Sequence, residues 1–298
     1  MNHSINTLGS SELIITPRGT IYHLDLAPED IAPTIITVGD PDRVKEVSKY
    51  FDHITHTAQH REFVTHTGLI GGKAISCVST GIGPDNIDIV INELDALVNI
   101  DFATRTLKSE HTSLNIIRMG TCGCLQGDVP VESLIVSSHG IGMDNLMHYY
   151  RMTNNPDENF IINSFNKHTS LENSRIVPYI AEGAIGLRKH FGAGFVHGIT
   201  VTCPGFYGPQ GRVLRGQLAF PNLIDALTTF RHQDIRITNF EMETSAIYGL
   251  GKVLGHKSLS ISTAVANRVT KTFCSDGNAA VENMIRKSLE IIADGILA

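Results

Sequence analysis

The chain predicts an α/β fold: one domain built on a central mixed β-sheet flanked by helices. Two observations carry this. Short β-branched apolar runs are followed at once by glycine turns and then by helical patterns. That alternation recurs along most of the 298 residues, with no internal repeat, low-complexity tract or domain linker. The length suits a single large α/β domain with a substantial core.

The elements follow in order. Residues 1–18 read as a flexible leader, and 19–298 as the domain. Ile21 to Leu26 alternates as a strand or extended arm. Thr34 to Val38 is a buried-strand run ending at Gly39-Asp40-Pro41; Pro41 suits a first helical position, and the helix continues to Tyr50. Phe63 to Thr67 and Lys73 to Ser79 are strands around the turn Gly68 to Gly72. After Thr80-Gly81-Ile82-Gly83-Pro84 a helix runs from Asp85 to about Leu97, with Ile87, Val90, Ile91, Leu94 and Leu97 at helical spacing. Residues 101–112 are a polar connection. Leu114 to Ile117 is a short strand before Arg118 and a Gly120-Thr121-Cys122-Gly123 turn, and Leu134 to Ser137 is another strand. His139 to Ser174 reads as a polar surface insertion with partial helix. Ala181 to Lys189 is helical, His197 to Thr202 a strand, Cys203 to Gly211 a loop, and Leu223 to Phe230 a helix. Asn239 is an N-cap candidate for a helix carrying Glu241 and running to about Leu254. Leu259 to Val265 is the last strand and Ala279 to Ile296 the closing helix.

Composition excludes some functions. The net charge of −6 argues against nucleic-acid and anionic-membrane partners, which need a basic surface, but not against a small anion held by a few arginines. Five cysteines, with no C-x-x-C and no completing Cys/His pair, predict free thiols and no metal site. Residues Met1 to Thr20 lack an apolar segment and no run is long enough to span a membrane, so the expected location is the cytoplasm. The sequence has no serine-hydrolase elbow and no H-E-x-x-H motif.

In an α/β fold ligands gather at the carboxyl ends of strands. Gly39, Thr80-Gly81, Arg118 to Gly123, Cys203 to Arg212 and Asn267-Arg268 all follow expected strands, so they line one crevice. Gly39 lets backbone approach an anion beside a helix start; Arg43 either reaches the same anion or points to solvent. Arg118, at a buried strand end, needs an anionic partner, a structural carboxylate or an oxyanion ligand. Gln210 and Arg212 carry the donors and acceptors to read an imide edge, and Phe206 can stack on a ring or pack in the core. Glu241 and Glu243 read either as first-turn helix charge or as paired functional carboxylates.

Taken together, Gly39-Asp40-Pro41-Asp42-Arg43, His60-Arg61-Glu62-Phe63, Ser79-Thr80-Gly81-Ile82-Gly83, Arg118-x-Gly-Thr-x-Gly123, Phe206-Tyr207-x-x-Gln210-x-Arg212, Glu241-Met242-Glu243 and Asn267-Arg268 resemble, in order, the motifs of the nucleoside phosphorylase-I family. The resemblance runs from about Tyr22 to about Thr270 and is nearest to the uridine-cleaving members. It implies a three-layer α/β/α domain and a pentosyltransferase that cleaves uridine with inorganic phosphate to uracil and α-D-ribose 1-phosphate, in pyrimidine salvage. Gly39, Arg43, Arg118 and Thr121 match phosphate binders, and Arg61 an arginine reaching a neighbouring subunit's phosphate. Glu243 and Met242 match ribose contacts, Glu241 has a less direct place in that motif, and His23 matches a histidine given across the dimer to the 5′-hydroxyl. Cys122, Gly123, Phe206, Gln210 and Arg212 match the base pocket; Arg118, Glu243 and Arg212 would carry the catalysis. Phosphate is a co-substrate, and no cofactor is expected. Asn86 stands where some relatives have a serine that helps a glutamate, here Glu62, hold an interface cation. The family implies a homo-oligomer, at least a dimer with shared sites and commonly a hexamer. Purine-cleaving relatives carry an aspartate near Ala266-Asn267-Arg268; Asn267 there and Gln210-x-Arg212 point to a pyrimidine. The competing readings are a purine nucleoside phosphorylase or nucleosidase of the same fold, and a non-catalytic nucleoside-binding protein.

Overall fold

The computed structural model describes residues 7–297. The strands are β1 (Thr34–Val38), β2 (His53–His60), β3 (Phe63–Ile70), β4 (Lys73–Ser79), β5 (Ile100–Asp101), β6 (Thr106–Leu107), β7 (Asn115–Cys124), β8 (Leu134–Gly142), β9 (Tyr179–Glu182), β10 (Phe195–Thr202), β11 (Arg231–His232), β12 (Ile235–Glu241), β13 (Lys257–Asn267) and β14 (Thr272–Phe273). The helices are α1 (Pro41–Ser48), α2 (Pro84–Asn99), α3 (Pro156–Thr169), α4 (Ile185–Arg188), α5 (Leu223–Thr229), α6 (Thr244–Leu254) and α7 (Gly277–Gly295).

The main sheet runs β11-β12-β10-β8-β13-β7-β1-β4-β3-β2, with β14 and β9 paired to β13 and β8. It is mixed: β1 is parallel to β4 and β7, whereas β13 and β8 are antiparallel. An added antiparallel pairing of Phe240 with Gly123 joins β12 back to β7, so β7, β12, β10, β8 and β13 form a closed ring. Alternation in β1 shows the layers. Ile35 faces one core with Val90, Leu94 and Tyr248 of α2 and α6; Ile36 faces the other with Val44, Val47, Met284 and Leu289 of α1 and α7. Helices thus cover both faces of the sheet, as the sequence predicts.

Several expectations are corrected. Asn239 caps no helix: it lies buried in β12, its Oδ1 accepting from the hydroxyls of Thr200 and Thr238. Residues Gly120 to Gly123 form no turn; they continue β7, held by parallel pairing with β13. β8 likewise runs on to Gly142, and the supposed insertion after it holds a full helix, α3, capped by Asn155 and Glu158. The helix expected over 181–189 is β9 followed by the one-turn α4. Ile21 to Leu26 is a turn with a single bridge between Ile15 and Ile21. β2 was not expected at all. Of the leader, residues 1–6 lie outside the described residues; within 7–18, Leu13 is buried, and Arg105 donates to the carbonyls of Leu8, Gly9 and Leu13.

Candidate active site

Arg118 is the last β7 residue paired with β1, and Gly123 the first paired with β12. Between them one edge of β7 has no strand neighbour among the described residues. A cavity of about 710 Å³ opens in this gap, where the sheet changes partners. Its lining includes Gly39, Arg43, Arg118, Thr121, Cys122, Gly123, Phe206, Gln210, Arg212, Glu241, Met242 and Glu243. Segments more than 200 residues apart in sequence meet there because each ends a strand of one sheet.

At one end, the buried Arg118 guanidinium donates to Glu243 Oε2 at 2.5 Å, lies 3.2 Å from Glu241 Oε2 and reaches Ser262 Oγ at 3.3 Å. Burial opposes its charge, but Glu241 and Glu243 outweigh that and hold its pKa above the ordinary arginine value. Burial pushes the Glu243 carboxyl up, and Glu241 adds to this, while Arg118 pulls it back. The other Glu243 oxygen accepts from the Gly83 amide at 2.9 Å. Gly83 has φ 94°, a conformation open to glycine at little cost, and opens α2.

Glu241 faces inward. Its carboxylate accepts from the Glu243 and Thr244 amides, capping α6, and from the Thr202 hydroxyl at 2.7 Å. Neither carboxylate lies in the first turn of α6: Glu241 ends β12 and reaches forward to cap the helix, and Glu243, at the N-cap position, lines the cavity bonded to an arginine. Arg43, on the first turn of α1, makes no side-chain hydrogen bond or ion pair with the described residues, and both burial and Arg118 lower its pKa. A buried guanidinium, that of Arg118, and a half-buried one, that of Arg43, thus face one space with Arg43 unpaired among the described residues, an arrangement that favours an anion.

At the other end, Arg212 lies on the Phe206 ring, 3.7 Å from its centroid, and donates to Gln210 Oε1 at 2.6 Å and to the Phe206 carbonyl at 2.7 Å. Because Arg212 only donates, it turns the Gln210 oxygen toward itself and the amide nitrogen away. Gln210 is itself fixed by Arg268, which donates to its carbonyl.

Not every expected residue comes to the cavity. His23 and Arg61 do not line it. His23 is tied to Glu93 through Nδ1 at 2.6 Å, and Arg61 sits exposed at the β2–β3 turn with φ 55°. Asn267 is buried in structural bonds, donating to the carbonyls of Gln126 and Val129; Val265 and Ala266 form the wall in that segment. Phe240, Phe273, Glu62 and Asn86 also line the cavity. Of these, Phe240 and Phe273 were missed, and so were Ser262 and Thr202, hydroxyls inside strands that only pairing reveals.

Among the described residues one trio has metal-ligand spacing: Asp95, His111 and His256. The Leu114 amide donates to His256 Nδ1, so Nε2 carries the ring's proton and turns it toward Asp95, 3.3 Å away. All five cysteines are buried free thiols, and no helix among the described residues is long and apolar enough to cross a membrane.

The fold, with this cavity at its strand ends, is that of a pentosyl-transferring phosphorylase. The chain belongs to the phosphorylase superfamily, whose family model matches residues 33–297. A uridine phosphorylase of Thermococcus kodakarensis is 31% identical over 290 residues, 96% of this chain and 91% of its own. The crystal structure of a Trypanosoma brucei nucleoside phosphorylase, described as showing uridine phosphorylase activity, matches with TM-score 0.86 at 31% identity, covering 96% of this chain and 99% of its own. A DeoD-type purine nucleoside phosphorylase of Bacillus cytotoxicus is 25% identical, covering 91% and 97%.

Proposed function

We infer that this protein is a uridine phosphorylase: it cleaves uridine with inorganic phosphate to give uracil and α-D-ribose 1-phosphate. The observation that carries the reading is the pairing, across one cavity, of the Arg43–Arg118 cationic end with the Gln210–Arg212 end. The uridine phosphorylases among the relatives support the same base.

Phosphate sits between Arg43, Arg118, Thr121 and the α1 start at Gly39. There its negative charge faces C1′ and stabilises the oxocarbenium-like sugar as the glycosidic bond opens. Glu243 accepts from the ribose 2′- and 3′-hydroxyls while Arg118 and Gly83 hold its carboxylate in place, and Met242 lies against the sugar. Gln210 and Arg212 donate to the uracil carbonyls and take up the charge that builds on the leaving base; Cys122, Gly123 and Phe206 flank the ring. Glu241 acts through others, orienting Arg118 and α6. No metal or other cofactor is called for.

His23 and Arg61, which do not line their own cavity, complete a partner subunit's site. On this reading the protein works as a homo-oligomer, at least a dimer and of the hexamer class, in cytoplasmic pyrimidine salvage. The test is uracil release from uridine with and without inorganic phosphate, following ribose 1-phosphate in parallel. Phosphate-dependent release with ribose 1-phosphate is expected. Release without phosphate would make the enzyme a hydrolase, and cleavage of inosine in preference to uridine would overturn the base assignment.

A further inference from the structure

Arg118 and Gly120 are two apart on β7 and so share a face of the strand. The Arg118 side chain folds back along that face until its guanidinium lies directly over Gly120. A methyl group at Gly120 would overlap Nη1 and Cζ of Arg118 and fall 2.7 Å from Nη2. Gly120 does not have a positive φ, so no backbone conformation demands glycine there. What demands it is the space that the guanidinium fills.

We propose that Gly120 is a positioning residue for the reaction: its missing side chain forms the floor on which the Arg118 guanidinium rests, and Ser262 and Glu241 fix it there from the neighbouring strands. This rests on the reading of Arg118 as a phosphate and transition-state contact. The guanidinium has three partners: Glu243 at 2.5 Å and Glu241 at 3.2 Å on one terminal nitrogen, and Ser262 at 3.3 Å on the other. A methyl at residue 120 would occupy the position in which these partners hold it. Arg118 is buried beside β1 and β13 and lines the cavity, so a displaced guanidinium can move into that space. There it would enter the space assigned to phosphate. A shift of about 1 Å in such a group costs on the order of a hundredfold in rate.

The experiment is a double-mutant cycle on the full-length protein with Gly120→Ala and Arg118→Lys, reading kcat and the phosphate and uridine KM values separately. Lysine is slimmer at its end than arginine and leaves room for the methyl. Gly120→Ala alone is expected to raise the phosphate KM at least about tenfold and lower kcat/KM by on the order of a hundredfold. Added to Arg118→Lys it should cost less than about threefold more. Ser262→Ala, which removes one clamp without adding bulk, should raise the phosphate KM by a smaller factor while the thermal midpoint stays within a few degrees; this arm stands even where Gly120→Ala fails to fold. Full activity in Gly120→Ala, or losses that multiply with those of Arg118→Lys, would overturn the proposal, as would an unchanged phosphate KM in Ser262→Ala. Full activity in Arg118→Lys would instead sink the reading of the site itself.

Discussion

Glu243 accepts from Arg118 through one carboxylate oxygen at 2.5 Å and from the Gly83 amide through the other at 2.9 Å. The proposed ribose carboxylate is thus held by two elements far from it in sequence, β7 and the start of α2, before any sugar arrives. Each oxygen keeps a further lone pair, and those are what the 2′- and 3′-hydroxyls would meet.

Glu243→Ala should cut turnover by at least about a hundredfold, on the scale of losing a preorganised transition-state group. Folding should suffer far less, because Glu241 still neutralises Arg118. Steady-state kinetics beside thermal unfolding checks both halves; near-wild-type turnover would remove Glu243 from the site.

Glu241→Ala should show the reverse emphasis. It strips partners from the Glu243 and Thr244 amides and the Thr202 hydroxyl, all buried, and weakens the α6 cap. A loss of roughly 2–5 kcal/mol follows from orphaned buried donors and a half-broken ion pair. Urea unfolding of the two alanine variants side by side should rank Glu241→Ala as the less stable.

Arg43 makes the phosphate end testable without chemistry. Its unpaired guanidinium should be neutralised by inorganic phosphate, which at a hundred times its Kd stabilises the fold by about 2.7 kcal/mol. Thermal midpoints with and without phosphate should show the rise in wild type and its near loss in Arg43→Met.

Arg212→Ala should damage uridine cleavage much more than phosphate affinity, since its contacts are Phe206 and Gln210, at the opposite end from Arg43. Equal losses in the two KM values would place it elsewhere.

His139, buried in β8, should govern part of the acid stability. Burial, aided by Arg188, pushes its pKa down to about 4 from an ordinary 6.5. Between those values the unfolded chain binds a proton that the folded one refuses, so stability rises with pH there and is lost as pH falls from about 6.5 toward 4. From pH 7 to pH 5 this amounts to about 2 kcal/mol. His139→Gln should lose about that much less over the same interval, measured by denaturant unfolding at the two pH values.

The sequence made the strand–glycine–helix units legible because β1, β4 and their turns are local: Val38, Gly39 and Pro41 announce themselves without reference to anything distant. It did not reveal where β7 ends. Gly120, Thr121 and Gly123 have turn-like chemistry, and only pairing with β13 and β12 keeps them extended. β2, His-Ile-Thr-His-Thr-Ala-Gln-His, was missed because it is an edge strand, mostly exposed, with no apolar face to read. The sequence shows only partial helix where α3 forms, because its polar residues hide the stripe of Ile161, Ile162 and Phe165. The cavity residues were mostly legible because their types are costly to place anywhere else: a buried arginine and a buried carboxylate need each other. The hydroxyls that brace them were invisible, since a serine or threonine in a strand looks like any other.

The closed ring of β7, β12, β10, β8 and β13 bears on how the protein is made. Phe240 must find Gly123, and β13 must settle between β7 and β8, across more than a hundred residues of intervening chain. Contacts of such separation form slowly and late. The gap in which the cavity lies does not exist until the last of them has closed, so a nascent or partly refolded chain has neither the cavity nor the Arg118–Glu243 pair, and the return of activity on refolding will keep time with the slowest step.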